Sequence, residues 1–195
     1  MSLLIRALSG DALTGAITDL AALRIAVFAA FPYLYDGDMA YEAEYLREFK
    51  NTPDGVLVAA YDGAQIVGAA TASPMWVQKE EFRTPFEQQG VDTSSLFYFG
   101  ESVLLPDYRG QGAGHAFFDH REAHARKSGA RAATFASVIR AADHPARLAG
   151  YRPLDDFWRK RGYAKVENLV THLAWKEHDE ETESLKPMQY WMRKL

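Results

Sequence analysis

The 195-residue chain contains no cysteine. That excludes disulfides, thiolate metal sites and a cysteine nucleophile, and it fits a reducing compartment. A basic excess is also missing: 22 Lys and Arg stand against 26 Asp and Glu, a formal net charge of −4. A general nucleic-acid binder carries the opposite balance, so no nucleic-acid partner is expected. No run reaches the roughly 18 apolar residues a membrane helix needs, and the apolar stretch near residues 20–31 is broken by Arg24. The first residues lack the basic-then-apolar pattern of a signal peptide, so a cytoplasmic location away from membranes is expected. Internal repeats and low-complexity linkers are lacking too. What remains is 48% hydrophobic and 25% charged, the composition of an ordinary globular protein. The length suits a single domain over residues 1–195 with one sizeable core.

Patterning supplies the elements. Residues 3–8 form a short apolar run that reads as a strand. Ile17, Leu20, Leu23 and Val27 recur at spacings of three and four, the apolar stripe of a helix, and Pro32 ends it. A second helical pattern places Tyr41, Tyr45 and Phe49 on one face. Residues 55–61 read as a strand, Asp62-Gly63 as a hairpin turn and residues 65–72 as the return strand. In the excursion at 74–95, Thr84-Pro85-Phe86-Glu87 has the form of a capping box with proline at the first helical position, stopped by Gly90. A strand over 96–105 leads through a glycine-rich turn, residues 109–114, into a helix to about Lys127 that Ser128-Gly129 stops. After it come a strand at 132–139, a loop at 140–152, a short helix near 154–161 ended by Gly162, and a strand at 166–175. An acidic turn at 177–183, read as a solvated loop rather than a binding tail, precedes a last strand at 188–193. The hairpin demands antiparallel pairing. The strand–helix–strand unit at 96–139 demands a parallel pair with a right-handed crossover. The fold class is therefore mixed α/β (α+β), with a mostly antiparallel central sheet flanked by helices.

The most informative stretch is Val103-Leu104-Leu105-Pro106-Asp107-Tyr108-Arg109-Gly110-Gln111-Gly112-Ala113-Gly114. An apolar strand ends at a proline, which cannot donate to the ladder. Glycines at 110, 112 and 114 lack a Cβ, so their amides can come close to a ligand. They open a helix, where the first N–H groups lack partners and the macrodipole is positive. Such a place suits a diphosphate, and Arg109 adds a forked cationic donor. The same spacing also serves a tight strand-to-helix turn whose small residues allow close packing. No Gly-Lys-Ser/Thr comes after it, so this is not a P-loop, and the turn lies too late in the chain for a dinucleotide fingerprint.

At these residues the sequence resembles the GNAT superfamily of N-acetyltransferases. Its most specific motif, Arg/Gln-x-x-Gly-x-Gly/Ala after an apolar strand, matches Arg109 through Gly114 at every required position. The segment from Phe157 to Tyr163 resembles the later motif, a short helix ending in glycine before an aromatic. The resemblance covers essentially the whole chain. It implies a GNAT-like acyl-CoA N-acyltransferase fold and acetyl-CoA as co-substrate, with no metal. The amides of Arg109, Gly110, Gln111, Gly112, Ala113 and Gly114 would hold the pyrophosphate. Val103, Leu104 and Leu105 would run beside the pantetheine arm, and the next strand, near Ser137 and Val138, would splay away to admit it. The oxyanion donor would be a main-chain N–H near Leu104 or Leu105.

An amine attacks a thioester only when neutral, so a proton acceptor is needed. Glu101 is the first candidate. It lies on the strand before the turn, alternating with Val103 and Leu105; the alternative is a strand-start glutamate paired with a cation. Family members often place a tyrosine four residues before the glycine of the later motif, but here Trp158 stands there, and indole cannot act as an acid. Tyr163, Tyr151 and His144 are the substitutes. The aromatic and acidic stretch at 31–38, with Phe31, Tyr33 and Tyr35, could bind a cationic amine; it could equally be core aromatics and a helix cap at Asp36 or Asp38. His120 and His124 share a helix face without a third ligand, so metal is not expected. Arg140, His144, Arg147 and Arg152 could meet an anionic group or form a solvated loop. The expected activity is transfer of acetyl from acetyl-CoA to a primary amine of a small-molecule or peptide acceptor, by direct attack in a ternary complex. The competing reading is a non-catalytic acyl-CoA-binding or regulatory module. Many family members form homodimers, but no dedicated interface stands out.

Overall fold

A computed structural model describes residues 3–195. The chain order is β1 (Leu4–Leu8), α1 (Gly10–Phe28), α2 (Met39–Lys50), β2 (Val56–Asp62), β3 (Gln65–Pro74), α3 (Glu80–Gln88), β4 (Leu96–Leu104), α4 (Ala113–Lys127), β5 (Ala132–Val138), α5 (Asp155–Lys160), β6 (Ala164–Trp175) and β7 (Ser184–Lys194). The strands form one seven-stranded sheet in the order β1-β2-β3-β4-β5-β7-β6. Among the described residues every neighbouring pair is antiparallel except β4–β5, the pair joined by the α4 crossover.

Each face of the sheet carries its own core. On one side α4 packs Phe117 and Phe118 against Phe97, Phe99, Phe135 and Trp191. On the other, Leu13, Ile17 and Leu20 of α1 and Leu46 of α2 cover Leu57, Ala59 and Val103. Residues 57 and 59 of β2 face α1 while 56, 58 and 60 face α4, the two-residue alternation of a strand buried on both sides. Each large side chain so buried contributes about 1.5–3 kcal/mol.

Four readings of the sequence change. Helix α3 begins at Glu80, without a side-chain cap, and Pro85 lies inside it. Proline has no N–H for the Glu81 carbonyl; the hydroxyl of Thr171 on β6 donates to that oxygen instead, at 2.6 Å. The local capping pattern is therefore overridden by a tertiary partner. Tyr41 is 60% exposed, because the buried face of α2 centres on Glu42 and Leu46. The turn at 177–183 is not simply solvated: Glu177 is buried and pairs with Arg140 and Lys186. The last strand is also longer than its apolar core suggests, starting at Ser184.

Candidate active site

Strands β4 and β5 pair only at Leu96–Ala132, Phe97–Ala133 and Tyr98–Thr134. Beyond Tyr98, β4 stays with β3 and β5 stays with β7, so a wedge opens toward their C-terminal ends. Ser102 is exposed although it sits in the central strand. The Leu105 amide is taken by the Val67 carbonyl at 2.9 Å. Alternation along an antiparallel strand then turns the amides of Ser102 and Leu104 the other way, toward the side β5 has left. Of the two oxyanion donors expected, Leu104 alone has this orientation.

At the mouth of the wedge lies the glycine turn. Gly110 and Gly112 have φ of 76° and 87°, a region side chains disfavour, and a Cβ at either would meet nothing within 4 Å. Gly112 is the N-cap of α4 and offers no side chain to cap it. The first turn of a 15-residue helix thus meets open space with its amides uncapped by any side chain, a setting favourable to a phosphate anion. Arg109 is exposed beside it. Ser137 faces the same side as Phe135, where its hydroxyl accepts from the Trp191 indole at 3.0 Å.

Strand β4 also carries a bulge. Gly68–Leu104, Ala69–Val103 and Ala70–Ser102 pair in register, but Ala72 pairs with Phe99, so Thr71 opposes both Gly100 and Glu101. A Cβ on Gly100 would lie 2.6 Å from the Thr71 hydroxyl. The extra residue of a bulge reverses the facing of the strand beyond it. It puts Glu101 and Val103 on the α1 side with Tyr98, whereas unbroken alternation would have matched them to Phe99.

There Glu101 meets Arg24 and Tyr45 and is linked through Arg24 to Glu42, none of which the sequence singled out for the site. Arg24 pairs with Glu101 and with Glu42 of α2, and the Tyr45 hydroxyl donates to Glu101 at 3.1 Å. The guanidinium also lies over the Tyr45 ring, 4.4 Å from its centroid. Burial opposes the Arg24 charge, but Glu101, Tyr45 and Glu42 outweigh it and hold the cation above its ordinary value. Burial, then Glu101, pushes the Tyr45 phenol well up. The one available signal was Arg24 interrupting an apolar stripe: a lone charge on a buried helix face needs a partner.

The acceptor candidates lie on the junction between α1 and α2, which docks on the β6–β7 end of the sheet. Arg140 donates to the Pro32 carbonyl at 2.7 Å and the Tyr33 carbonyl at 3.3 Å, besides pairing with Glu177. It is a tie for this junction, not a free anion ligand. Phe31 is 8% exposed and edge-on to Tyr151 at 4.7 Å. Burial, then Tyr151 and Glu101, pushes the Tyr33 phenol up to about 12, against Arg140. Tyr35 is half-buried, and burial followed by Glu42 raises its phenol as well.

Of the substitute acids, Tyr163 is buried on the α4 side, where its hydroxyl donates to Glu122 at 3.1 Å. His144 accepts from the Ala146 amide at 3.2 Å. Trp158 packs against Phe135 and Trp191. His124 bonds the Asp54 carbonyl at 2.9 Å, and no group of three metal-ligating side chains occurs among the described residues. No helix of the described residues is long and apolar enough to cross a membrane.

The mixed sheet, its wedge and the glycine turn define an acyltransferase-type architecture, and comparison with known proteins agrees. The model of the acetyltransferase (GNAT) family matches residues 21–163, and the chain belongs to that family. Among solved structures it resembles a Salmonella typhimurium protein assigned to the acetyltransferases and solved with acetyl-CoA: TM-score 0.62, 9% identity, 100% of this chain and 95% of that one. An aminoglycoside 6'-N-acetyltransferase complexed with coenzyme A matches at TM-score 0.64 and 17% identity, covering 98% and 96%. A ribosomal-protein-alanine N-acetyltransferase from Brucella melitensis matches at TM-score 0.61 and 14% identity, covering 98% and 99%. At such identities the likeness is one of fold. No curated protein sequence matches the chain.

Proposed function

We propose that this protein transfers acetyl from acetyl-CoA to a primary amine of a cationic small-molecule or peptide acceptor, by direct attack in a ternary complex. The observation that carries the reading is the β4–β5 wedge with an uncapped, glycine-lined helix N-terminus at its mouth. A diphosphate fits the turn at residues 109–114, with Arg109 at its edge, and an extended arm fits beside Val103, Leu104 and Leu105. Acetyl-CoA supplies the thioester carbonyl. The chain orients it against the Leu104 amide, which is turned to meet developing negative charge on oxygen. Glu101 receives the ammonium proton. Both its oxygens already have partners, so the proton travels through water rather than by direct contact. The absence of cysteine favours direct attack over a thiol acyl-enzyme. The face around Glu101 carries two carboxylates against one guanidinium, with Tyr45 beside them, which favours a cationic acceptor.

A second reading, an acyl-CoA-binding module without turnover, draws support from the Arg24–Glu101 pair and from the internal partner of the Tyr163 hydroxyl. One experiment separates them. Melting temperatures are measured with acetyl-CoA, CoA and ATP, and release of CoA thiol is monitored over a panel of polyamines, aminoglycosides and peptide N-termini. A rise with both CoA species but not ATP, with thiol release on at least one amine, supports the enzyme. Binding with no release on any amine supports the module. No rise at millimolar CoA removes both.

A further inference from the structure

The α4 side of β4 holds a cation whose surroundings the coenzyme turn and the acceptor face do not explain. Arg121 is 1% exposed and has no carboxylate partner within ion-pair distance among the described residues. Its Nη1 donates to the Thr71 carbonyl at 3.3 Å and the Glu101 carbonyl at 3.2 Å, and its Nε donates to the Phe117 carbonyl at 3.2 Å. The guanidinium lies between the Phe99 and Phe118 rings, 4.5 and 4.7 Å from their centroids. Nη2 is buried without a partner.

The bulge explains this arrangement. Continuing the register Gly68–Leu104, Ala69–Val103, Ala70–Ser102 would bring Thr71 opposite Glu101 as a hydrogen-bonded pair. The extra residue breaks that pair, and the Glu101 amide turns to the Thr71 hydroxyl at 3.3 Å. A bulge disrupts the ladder locally, so the backbone carbonyls beside it call for donors from outside the sheet. One nitrogen of Arg121 meets those of Thr71 and Glu101. Three fixed N–H donations leave the guanidinium little freedom, and its aromatic flanks favour a planar cation. Desolvation pulls Arg121 down to about 10, the direction expected of a buried cation without a carboxylate partner.

Resting on the acetyl-transfer reading, we propose that Arg121 is a positioning residue: by bonding the Thr71 and Glu101 carbonyls it holds the β4 bulge in the register that aims the Glu101 carboxylate at the acceptor face and the Ser102 and Leu104 amides at the wedge. Arg121 belongs to α4, the helix whose first turn forms the coenzyme site. The same helix therefore fixes the donor's phosphates at one end and, two turns on, the strand that presents Glu101.

The test compares Arg121→Lys, Arg121→Met and Glu101→Gln, alone and combined, with the unaltered protein. Melting temperature, the CoA dissociation constant by calorimetry, kcat and KM for acetyl-CoA, and hydrogen exchange of the amides at 99–104 are read for each. The expected result is CoA affinity within about threefold in both Arg121 variants, because the turn at 109–114 is untouched. Exchange at 99–104 accelerates, and kcat falls about 100-fold for Met and less for Lys, which keeps one donor. In the Glu101→Gln background the Arg121 substitutions add little, since residues acting as one unit are non-additive. Folded Lys and Met variants with unchanged kcat would overturn the proposal, as would effects that multiply with Glu101→Gln. Loss of folding in both would make the side chain a fold determinant and also overturn it. An unaltered protein that binds no CoA would remove the acetyl-transfer reading itself, a result distinct from any of these.

Discussion

Arg24 of α1 and Glu101 of β4 form a largely buried ion pair that links α1 to the central strand. The same guanidinium holds Glu42 of α2, so three elements share one cation. Without it two carboxylates, the Glu42 one only 1% exposed, would be left without their shared cation.

Arg24→Met is therefore expected to cost about 3–5 kcal/mol, the range for removing one partner of a buried pair. For a chain of this size that lowers Tm on the order of 10 °C. Adding Glu42→Gln should restore part of the loss. Calorimetry decides it: a drop of less than about 3 °C would mean that water already solvates the two carboxylates.

Gly112→Val tests the glycine turn proposed to hold the coenzyme. A side chain at φ 87° costs about 1–2 kcal/mol, and the space around it is empty, so the fold survives with a modestly lower Tm. A diphosphate brought against the amides would meet the added methyls. CoA affinity should fall more than about 10-fold; unchanged affinity would move the phosphates elsewhere.

Alkaline stability depends on the buried phenols. Tyr33 is pushed from 10.0 up to about 12 by burial, Tyr151 and Glu101, and burial raises Tyr45, Tyr98, Tyr163 and Tyr190 as well. The folded state thus keeps protons that the unfolded chain releases. This stabilisation is intact below pH 10 and is lost as pH rises from about 10 toward 12. Phenolate absorbance and circular dichroism, recorded together, should change in one cooperative step. Stepwise phenolate formation near pH 10 with the fold intact would contradict this.

Thr171→Val removes the donor that serves the Glu81 carbonyl above Pro85. The expected loss is about 1–3 kcal/mol for an orphaned acceptor. Thr171→Val with Pro85→Ala should recover much of it, because an alanine N–H at 85 can reach Glu81 within the helix. A Tm unchanged by Thr171→Val would show that water takes the hydroxyl's place.

Much of this is legible in the residues. The α1 stripe, the Asp62-Gly63 hairpin and the strand–turn–helix at 96–127 are readable because each is set by local periodicity and backbone chemistry. So is the glycine turn: positive φ at Gly110 and Gly112 is a local demand with a local solution. The α3 start is not, because the partner that lets Pro85 lie inside a helix is Thr171, 90 residues away from Glu81 in sequence. Arg140 reads as a solvated or anion-binding cation because its partners, Pro32, Tyr33 and Glu177, come from two distant segments.

The chain by itself determined the order of helices and strands, the mixed sheet that a hairpin and a parallel crossover require, and the place where backbone amides lie bare at a helix start. These depend on interactions a few residues apart. The tertiary structure alone decided which way Glu101 points, which amides of β4 face the wedge, and which cations are free. The bulge at Thr71 opposite Gly100 and Glu101, the Arg24 pair and the Arg121 clamp all join residues 20 to 77 positions apart. Buried charges and orphaned carbonyls find partners by proximity in space, and no pattern along the sequence records that proximity.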